Sequence, residues 1–244
     1  MSRQTRKTDY DQMELRACAK ASGDPEMLEE YRKPEGADLH ERTARWFNPD
    51  YDTLEKSARK ETRRRAKLPN FGLCFGMRTS GFRTYAASNF GIKLSHDEAA
   101  EMREEFFELY EGLADWHAEA EAAAKEYPEY GETLWGRKRR LHPLCEDLDH
   151  WWAGFQIFTN FLIQGSCADV TKLAMVALFT RLDPQEAYLV SSIHDELLVC
   201  ARADVAERIA QLVSEVMQEA AAKVFGSEIP FPTGKPLIGQ GWAG

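Results

Sequence analysis

The chain has 244 residues, 43% of them hydrophobic, with a formal net charge of −9 from 31 Lys and Arg against 40 Asp and Glu. That length and apolar content suffice for one large domain or two subdomains, and the acidic balance excludes coating of nucleic acid by bulk positive charge while leaving room for a local basic groove. The five cysteines, Cys18, Cys74, Cys145, Cys167 and Cys200, are scattered and never form a C-x-x-C pair, which excludes a disulfide framework and a zinc knuckle and fits a reducing cytoplasm. The opening "MSRQTRKT" is polar and basic and no run of 18 apolar residues occurs, so a protein neither secreted nor membrane-spanning is expected.

In chain order, "DYDQMELR" (9 to 16) reads as a helix entrance with an acidic cap, and a short helix over 12 to 21 closes at the turn residues "GDPE". A basic run over 55 to 77 then gives way to "NFGLCFG", with Arg63, Lys67 and Phe71 at i, i+4 and i+8. That spacing keeps two cations and a ring on roughly one helix face, which suits a polyphosphate and a sugar or base. A solvated basic face fits the same residues. Pro69 predicts a kink or a helix start, and Gly72 and Gly76 lower the intrinsic helix stability of a segment that a ligand would then reorganise.

Ser95 and Glu98 form a capping box ahead of Met102, Phe106, Leu109, Leu113 and Trp116 at helical spacing, a scaffold helix. Residues 131 to 143, "GETLWGRKRRLHP", predict a turn or hairpin with a second basic cluster, and 151 to 182 a long buried helix. Gln156, Asn160 and Gln164 run along that helix as a polar line, and buried amides need partners. Neighbouring backbone groups satisfy that need as well as base edges in a groove do. A last helix is expected from about Asp204 to Phe225, capped by Asp204 with Glu207 three residues on, before an extended Gly- and Pro-containing tail.

Between the last two helices stands His194-Asp195-Glu196, flanked by "YLVSSI" and "LLVCA". Both flanks have the β-branched, apolar character of short strands, so the acids fall at a hairpin tip. Adjacent carboxylates on a rigid turn repel, and a cation or a raised pKa relieves them. An acidic turn facing water is the plain alternative.

Together, "DYDQMELR" (9 to 16), "RRRAKLPNFGLCFG" (63 to 76), "TLWGRKRRLHP" (133 to 143), "NFLIQGSCADVTK" (160 to 172), "HDELLVC" (194 to 200) and "GKPLIGQGW" (234 to 242) resemble, in order, segments of the polymerase domain of family A DNA polymerases. The resemblance implies an α+β, mostly helical fold: a palm with a small antiparallel sheet over 1–52 and 131–244, and a helical fingers subdomain over 53–130. It implies that Asp9 and Asp195 hold two Mg²⁺ ions, with Glu196 as an auxiliary acid. Arg63 and Lys67 would grip the phosphates of a deoxynucleoside triphosphate, Phe71 would pack near its sugar and Glu14 would block a ribose 2′-hydroxyl, with Tyr10 and Gln12 in the same nucleotide-binding group. Phe75, Arg137, Arg139, Gln156, Asn160, Gln164 and His194 would meet primer-template DNA, His194 at the primer terminus. A catalytically silent remnant that binds nucleotide or DNA is the alternative.

The chain departs from the family at several points. Phe75 replaces a usual Tyr, Gln156 a common Arg, and Pro69 lies in the nucleotide helix. The polar "MSRQTRKT" has no apolar run for the palm strand that should end at Asp9. Nothing resembles a thumb, so the expectation is the carboxy-terminal part of a polymerase, acting with a second chain that supplies the thumb and amino-terminal palm, in the cytoplasm and without a membrane.

Overall fold

A computed structural model of the chain describes residues 3–33, 35–126, 129–140, 151–235 and 237–239. Expectations for residues 141–143, Cys145, and parts of the tail at 236 and 240–242 lie outside the described residues. The described cysteines, Cys18, Cys74, Cys167 and Cys200, are free thiols. The chain divides into two compact units, one of residues 1–17, 133–137 and 163–244, the other of 18–132 and 138–162.

The first unit is built on a four-stranded antiparallel sheet. Its strands are β1 (Arg3–Thr8), β4 (Ala187–Ile193), β5 (Glu196–Arg202) and β6 (Leu237–Gly239), in the order β4-β5-β1-β6. The strand before Asp9 therefore forms, against the expectation from its polar sequence. Pairing is the reason: β1 lies between β5 and β6, with Thr5 opposite Cys200 on one side and Gly239 on the other. Its main chain is bonded on both edges without apolar side chains. Among its described side chains only Thr8 is fully buried.

β5 supplies the apolar floor through Leu197, Leu198, Val199 and Ala201. Helix α9 (Ala206–Phe225) covers it with a stripe at helical spacing, Ile209, Val213, Val216, Met217 and Ala220. Phe225 stacks on Phe231, 4.3 Å between ring centroids. Asp204 does not cap α9: Val205 is the N-cap, and Asp204 pairs with Arg202 at 2.7 Å instead. A carboxylate beside a guanidinium forms the charge-assisted bond in preference to a cap.

The second unit is helical. After α1 (Met13–Ser22) come α2 (Pro25–Tyr31), α3 (Leu39–Phe47), α4 (Lys56–Leu73), α5 (Thr79–Tyr85), α6 (His96–Leu109) and α7 (Glu111–Lys125). Residues 18–52, expected with the palm, cluster here because α3 packs on α4. Buried Thr43 donates to Asn70 Oδ1 at 2.9 Å and meets the Tyr110 hydroxyl at 2.8 Å. α4 runs through Pro69 without restarting. The carbonyl that Pro69 leaves without a donor belongs to Arg65, an exposed residue. Gly76 ends the segment at φ 75°, where a Cβ would stand 2.7 Å from the Phe155 ring.

The Ser95–Glu98 capping box is present. The periodic stretch beyond it is two helices rather than one, broken at Tyr110. Buried Asp24, already the N-cap of α2 through Met27, also accepts from Leu113 N–H at 3.1 Å and so holds the start of α7.

The long helix α8 (Trp151–Arg181) forms as predicted, and β2 (Tyr130–Glu132) and β3 (Lys138–Arg140) make the predicted hairpin. By length and apolar content alone, Gly154–Arg181 would cross a bilayer. About half of that stretch is packed inside the protein, and its buried Asp169 is tied to Arg137 at 2.6 Å, as in a soluble core helix.

Two buried histidines make the helical unit acid-sensitive. Burial, with Arg63 and Lys67 adding, depresses His40 to about 4 against the opposing charge of Asp38. Burial likewise brings His117 to about 4. Because the folded values lie below the unfolded value near 6.5, their contribution is full above that value and is lost as pH falls toward 4, on the order of 3 kcal/mol each. Ring-proton NMR titration is the check. Midpoints near 4 are expected, and a midpoint near 6.5 for either ring would refute its assignment.

Candidate functional site

In the sheet-bearing unit the chain places carboxylates at one end of β1 and β5. The β4–β5 connection is a two-residue turn, His194-Asp195, because Ile193 pairs with Glu196. His194 sits at φ 59° and Gln12 at φ 52°, the only non-glycine residues at positive φ among those described. Such backbone is uncommon for a side chain and gathers at functional sites. Thr8 pairs with Leu197 across the antiparallel ladder, so the next residue on β1's side, Asp9, comes alongside Glu196 and Asp195.

Asp195 is pushed above the usual carboxylate range, first by burial and then by the charges of Asp9 and Glu196, against its own N–H and His194. Glu14, in the first turn of α1, is raised chiefly by burial and also by Asp195. His194 bridges these acids, with Nε2 3.5 Å from Glu14 and Nδ1 3.7 Å from Asp195. Glu14, Gln164, Cys167, Thr171, His194 and Asp195 line one cleft of about 220 Å³. The Cys167 thiol is pushed well up, by burial first, and is held unreactive.

Two features of this cluster, at Lys7 and Gly234, were not singled out in the sequence. Lys7 Nζ lies 2.5 Å from Glu196 Oε2 and is raised mainly by that bond. Gly234 donates its N–H to the Asp9 carbonyl at 2.9 Å, and a Cβ there would stand 2.8 Å from Asp9 Oδ1. Tyr10 is buried and donates its hydroxyl to the Met217 carbonyl at 2.5 Å.

The donor set suits a hard divalent cation. Asp9 and Asp195 each raise the local negative field, and buried Glu196 Oε1 has no hydrogen-bond partner. Among the described residues no group of three His, Cys, Asp or Glu side chains is placed to hold a metal ion by itself. Mg²⁺ characteristically takes one or two carboxylates and completes its shell with water and substrate phosphate.

The turn between β2 and β3 is anchored from within the same unit. Asp169 accepts from Thr133 Oγ1 at 2.7 Å and Arg137 Nε at 2.6 Å, and Arg137 also donates to the Gly165 carbonyl at 2.9 Å. Arg137, expected on DNA, also holds this turn, while its side chain stays partly exposed.

In the helical unit α4 presents the second set. Arg63 donates from Nε to Asp38 Oδ2 at 2.7 Å, with its terminal nitrogen 2.5 Å away. Lys67 is half-buried and makes no ion pair among the described residues. Phe71 leans on His40, 5.2 Å between centroids at 58°. Asn70 Nδ2 donates to His40 Nδ1 at 2.8 Å. Arg64 and Arg65 pair with Glu61 and leave Arg63 and Lys67 as the inner cations. Neither Asp38 nor His40 was picked from the sequence, although an Asp just before an apolar helix is a cap signal that pointed to the segment. Phe75 is half-buried, and Arg139 lies over Phe161 at 5.8 Å. Along α8, Gln156 and Asn160 are half-buried and Gln164 is exposed. Asn160 Oδ1 is buried without a hydrogen-bond partner.

The fold matches one class of protein. The profile of DNA polymerase family A matches residues 2–242. The chain belongs to that family. It is similar to DNA polymerase I of Aquifex aeolicus, 32% identical over 238 residues covering 96% of this chain and 38% of that protein. It is also similar to the thermostable DNA polymerase I of Thermus thermophilus, 35% identical over 214 residues covering 86% and 24%. Among solved structures it resembles the POL domain of Pol1 from M. smegmatis in complex with DNA primer-template and dNTP, with TM-score 0.80 and 27% identity over 98% of this chain and 40% of that one. The chain spans about two fifths or less of the length of these relatives.

Proposed function

We propose that the chain is a palm-and-fingers module of a template-directed DNA polymerase, adding deoxynucleotides to a primer 3′-hydroxyl. The observation that carries this reading is the meeting of Asp9 with Asp195 and Glu196 through the β1–β5 pairing. The sheet-bearing unit corresponds to the palm, and the helical unit carries the fingers.

Asp9 and Asp195 would hold two Mg²⁺ ions, with buried Glu196 beside them. Bound there, the metal lowers the pKa of the primer hydroxyl and neutralises charge on the transferred phosphate. Arg63 and Lys67 bind the triphosphate, Arg63 as a fork and Lys67 as a point charge, while Phe71 packs against the sugar. Glu14 fills the space a ribose 2′-hydroxyl needs, so deoxynucleotides are selected. His194 stands at the primer terminus. Phe75, Arg139, Gln156, Asn160 and Gln164 face primer-template DNA, with the unpartnered Asn160 Oδ1 available to a donor on a base or sugar. A second polypeptide segment supplies the thumb and amino-terminal palm, in the same chain or another, and the setting is cytoplasmic.

Primer extension by the purified chain, alone and with candidate thumb-bearing partners, is the test. Magnesium-dependent addition of templated deoxynucleotides is expected. A folded chain that incorporates nothing under any pairing would sink the catalytic reading in favour of a remnant that only binds.

A further inference from the structure

Asp38 joins both halves of the α4 surface with one carboxylate. Its Oδ1 accepts from the N–H groups of His40 and Glu41 at 2.9 and 3.3 Å and so caps α3. Its Oδ2 takes Nε and one terminal nitrogen of Arg63. The cap sets the first turn of α3, and that turn carries His40, whose ring supports Phe71 and whose Nδ1 is fixed by Asn70. Arg63, Asn70 and Phe71 all lie on α4. Asp38 is itself held by its N–H, which donates to buried Glu30 at 2.9 Å. Because both bonds to Arg63 converge on one oxygen, the guanidinium keeps its remaining donors for another anion.

We propose that Asp38 is a positioning residue for nucleotide binding: it aims the Arg63 guanidinium at the triphosphate and, through the cap, keeps His40 under Phe71. This rests on the assignment of Arg63 to the phosphates made above. An arginine held by a carboxylate loses less rotamer freedom when phosphate arrives, so affinity gains from the pre-ordering. The side chain touches no reacting atom.

Asp38→Asn separates the two tasks, since Asn caps a helix as well as Asp but does not hold a guanidinium. Equilibrium binding of Mg²⁺–dATP to the full chain with a dideoxy-terminated hairpin primer–template is the readout, alongside the incorporation rate at saturating nucleotide. The expected result is a roughly 10-fold weaker Kd, a saturated rate within about 2-fold, an unchanged melting temperature, and no further weakening when D38N is added to R63A. Asp38→Ser, which also caps without charge, should behave alike and serves if the Asn variant fails to fold. If R63A weakens binding but D38N and D38S bind as tightly as the unmodified chain or more tightly, the Asp38 role is wrong and the function stands. If R63A has no effect, or the unmodified chain binds no nucleotide, the assignment of Arg63 falls and the Asp38 role with it.

Discussion

Asp195→Asn is expected to reduce primer extension at least about 10³-fold, on the order of 4 kcal/mol of lost transition-state stabilisation, while the fold becomes no less stable. The two effects have opposite signs for one reason. Asp195 is desolvated in the β4–β5 turn and faces Asp9 and Glu196, so without a cation its charge opposes folding. A carboxyl whose folded pKa lies above its unfolded value costs stability once pH exceeds the unfolded value, and the neutral amide removes that cost. The proposed catalysis needs the same charge as a metal ligand. Primer extension and thermal melting at neutral pH are the measurements. Retained incorporation would remove Asp195 from the metal site, and a large fall in melting temperature would show that the turn, not the chemistry, had been lost.

Gly234→Ala should lower incorporation about 10- to 100-fold, with the half-saturating Mg²⁺ concentration raised and little change in melting temperature. A methyl group at this position meets Asp9 Oδ1 at 2.8 Å, too close for an unshifted contact. The Gly234 N–H is bonded to the Asp9 carbonyl, so the backbone resists moving and the carboxylate swings instead. Displacement of a reacting group by about 1 Å costs on the order of 10²-fold. Wild-type rate and Mg²⁺ dependence in the folded variant would show that Asp9 is not held in its productive place by this contact.

Much of the local geometry was legible in the chain because it depends on local spacing. Arg63, Lys67 and Phe71 share a face of α4 by helical periodicity, the capping box at Ser95 forms from residues three apart, and the acidic hairpin announces itself through its β-branched flanks. Less legible were features decided by partners distant in sequence. Arg137 gave no sign in the sequence of its bond to Asp169, and Asp204 looked like a helix cap until Arg202 claimed its carboxylate. Tyr10 stands among the residues expected to bind nucleotide, and nothing in its neighbours foretold that its hydroxyl bonds to the Met217 carbonyl.

By itself, the sequence determined the helical character, the acidic turn, the basic face of α4 and the resemblance to family A polymerases, all properties carried by neighbouring residues. Tertiary structure alone decided that polar β1 is a strand, because its stability comes from main-chain bonds to β5 and β6 rather than from its side chains. The same pairing brings Asp9 to Asp195, sets Lys7 on Glu196, and makes Gly234 necessary. Contacts between residues far apart in the chain leave no periodic trace in it, and the acidic site is made of such contacts.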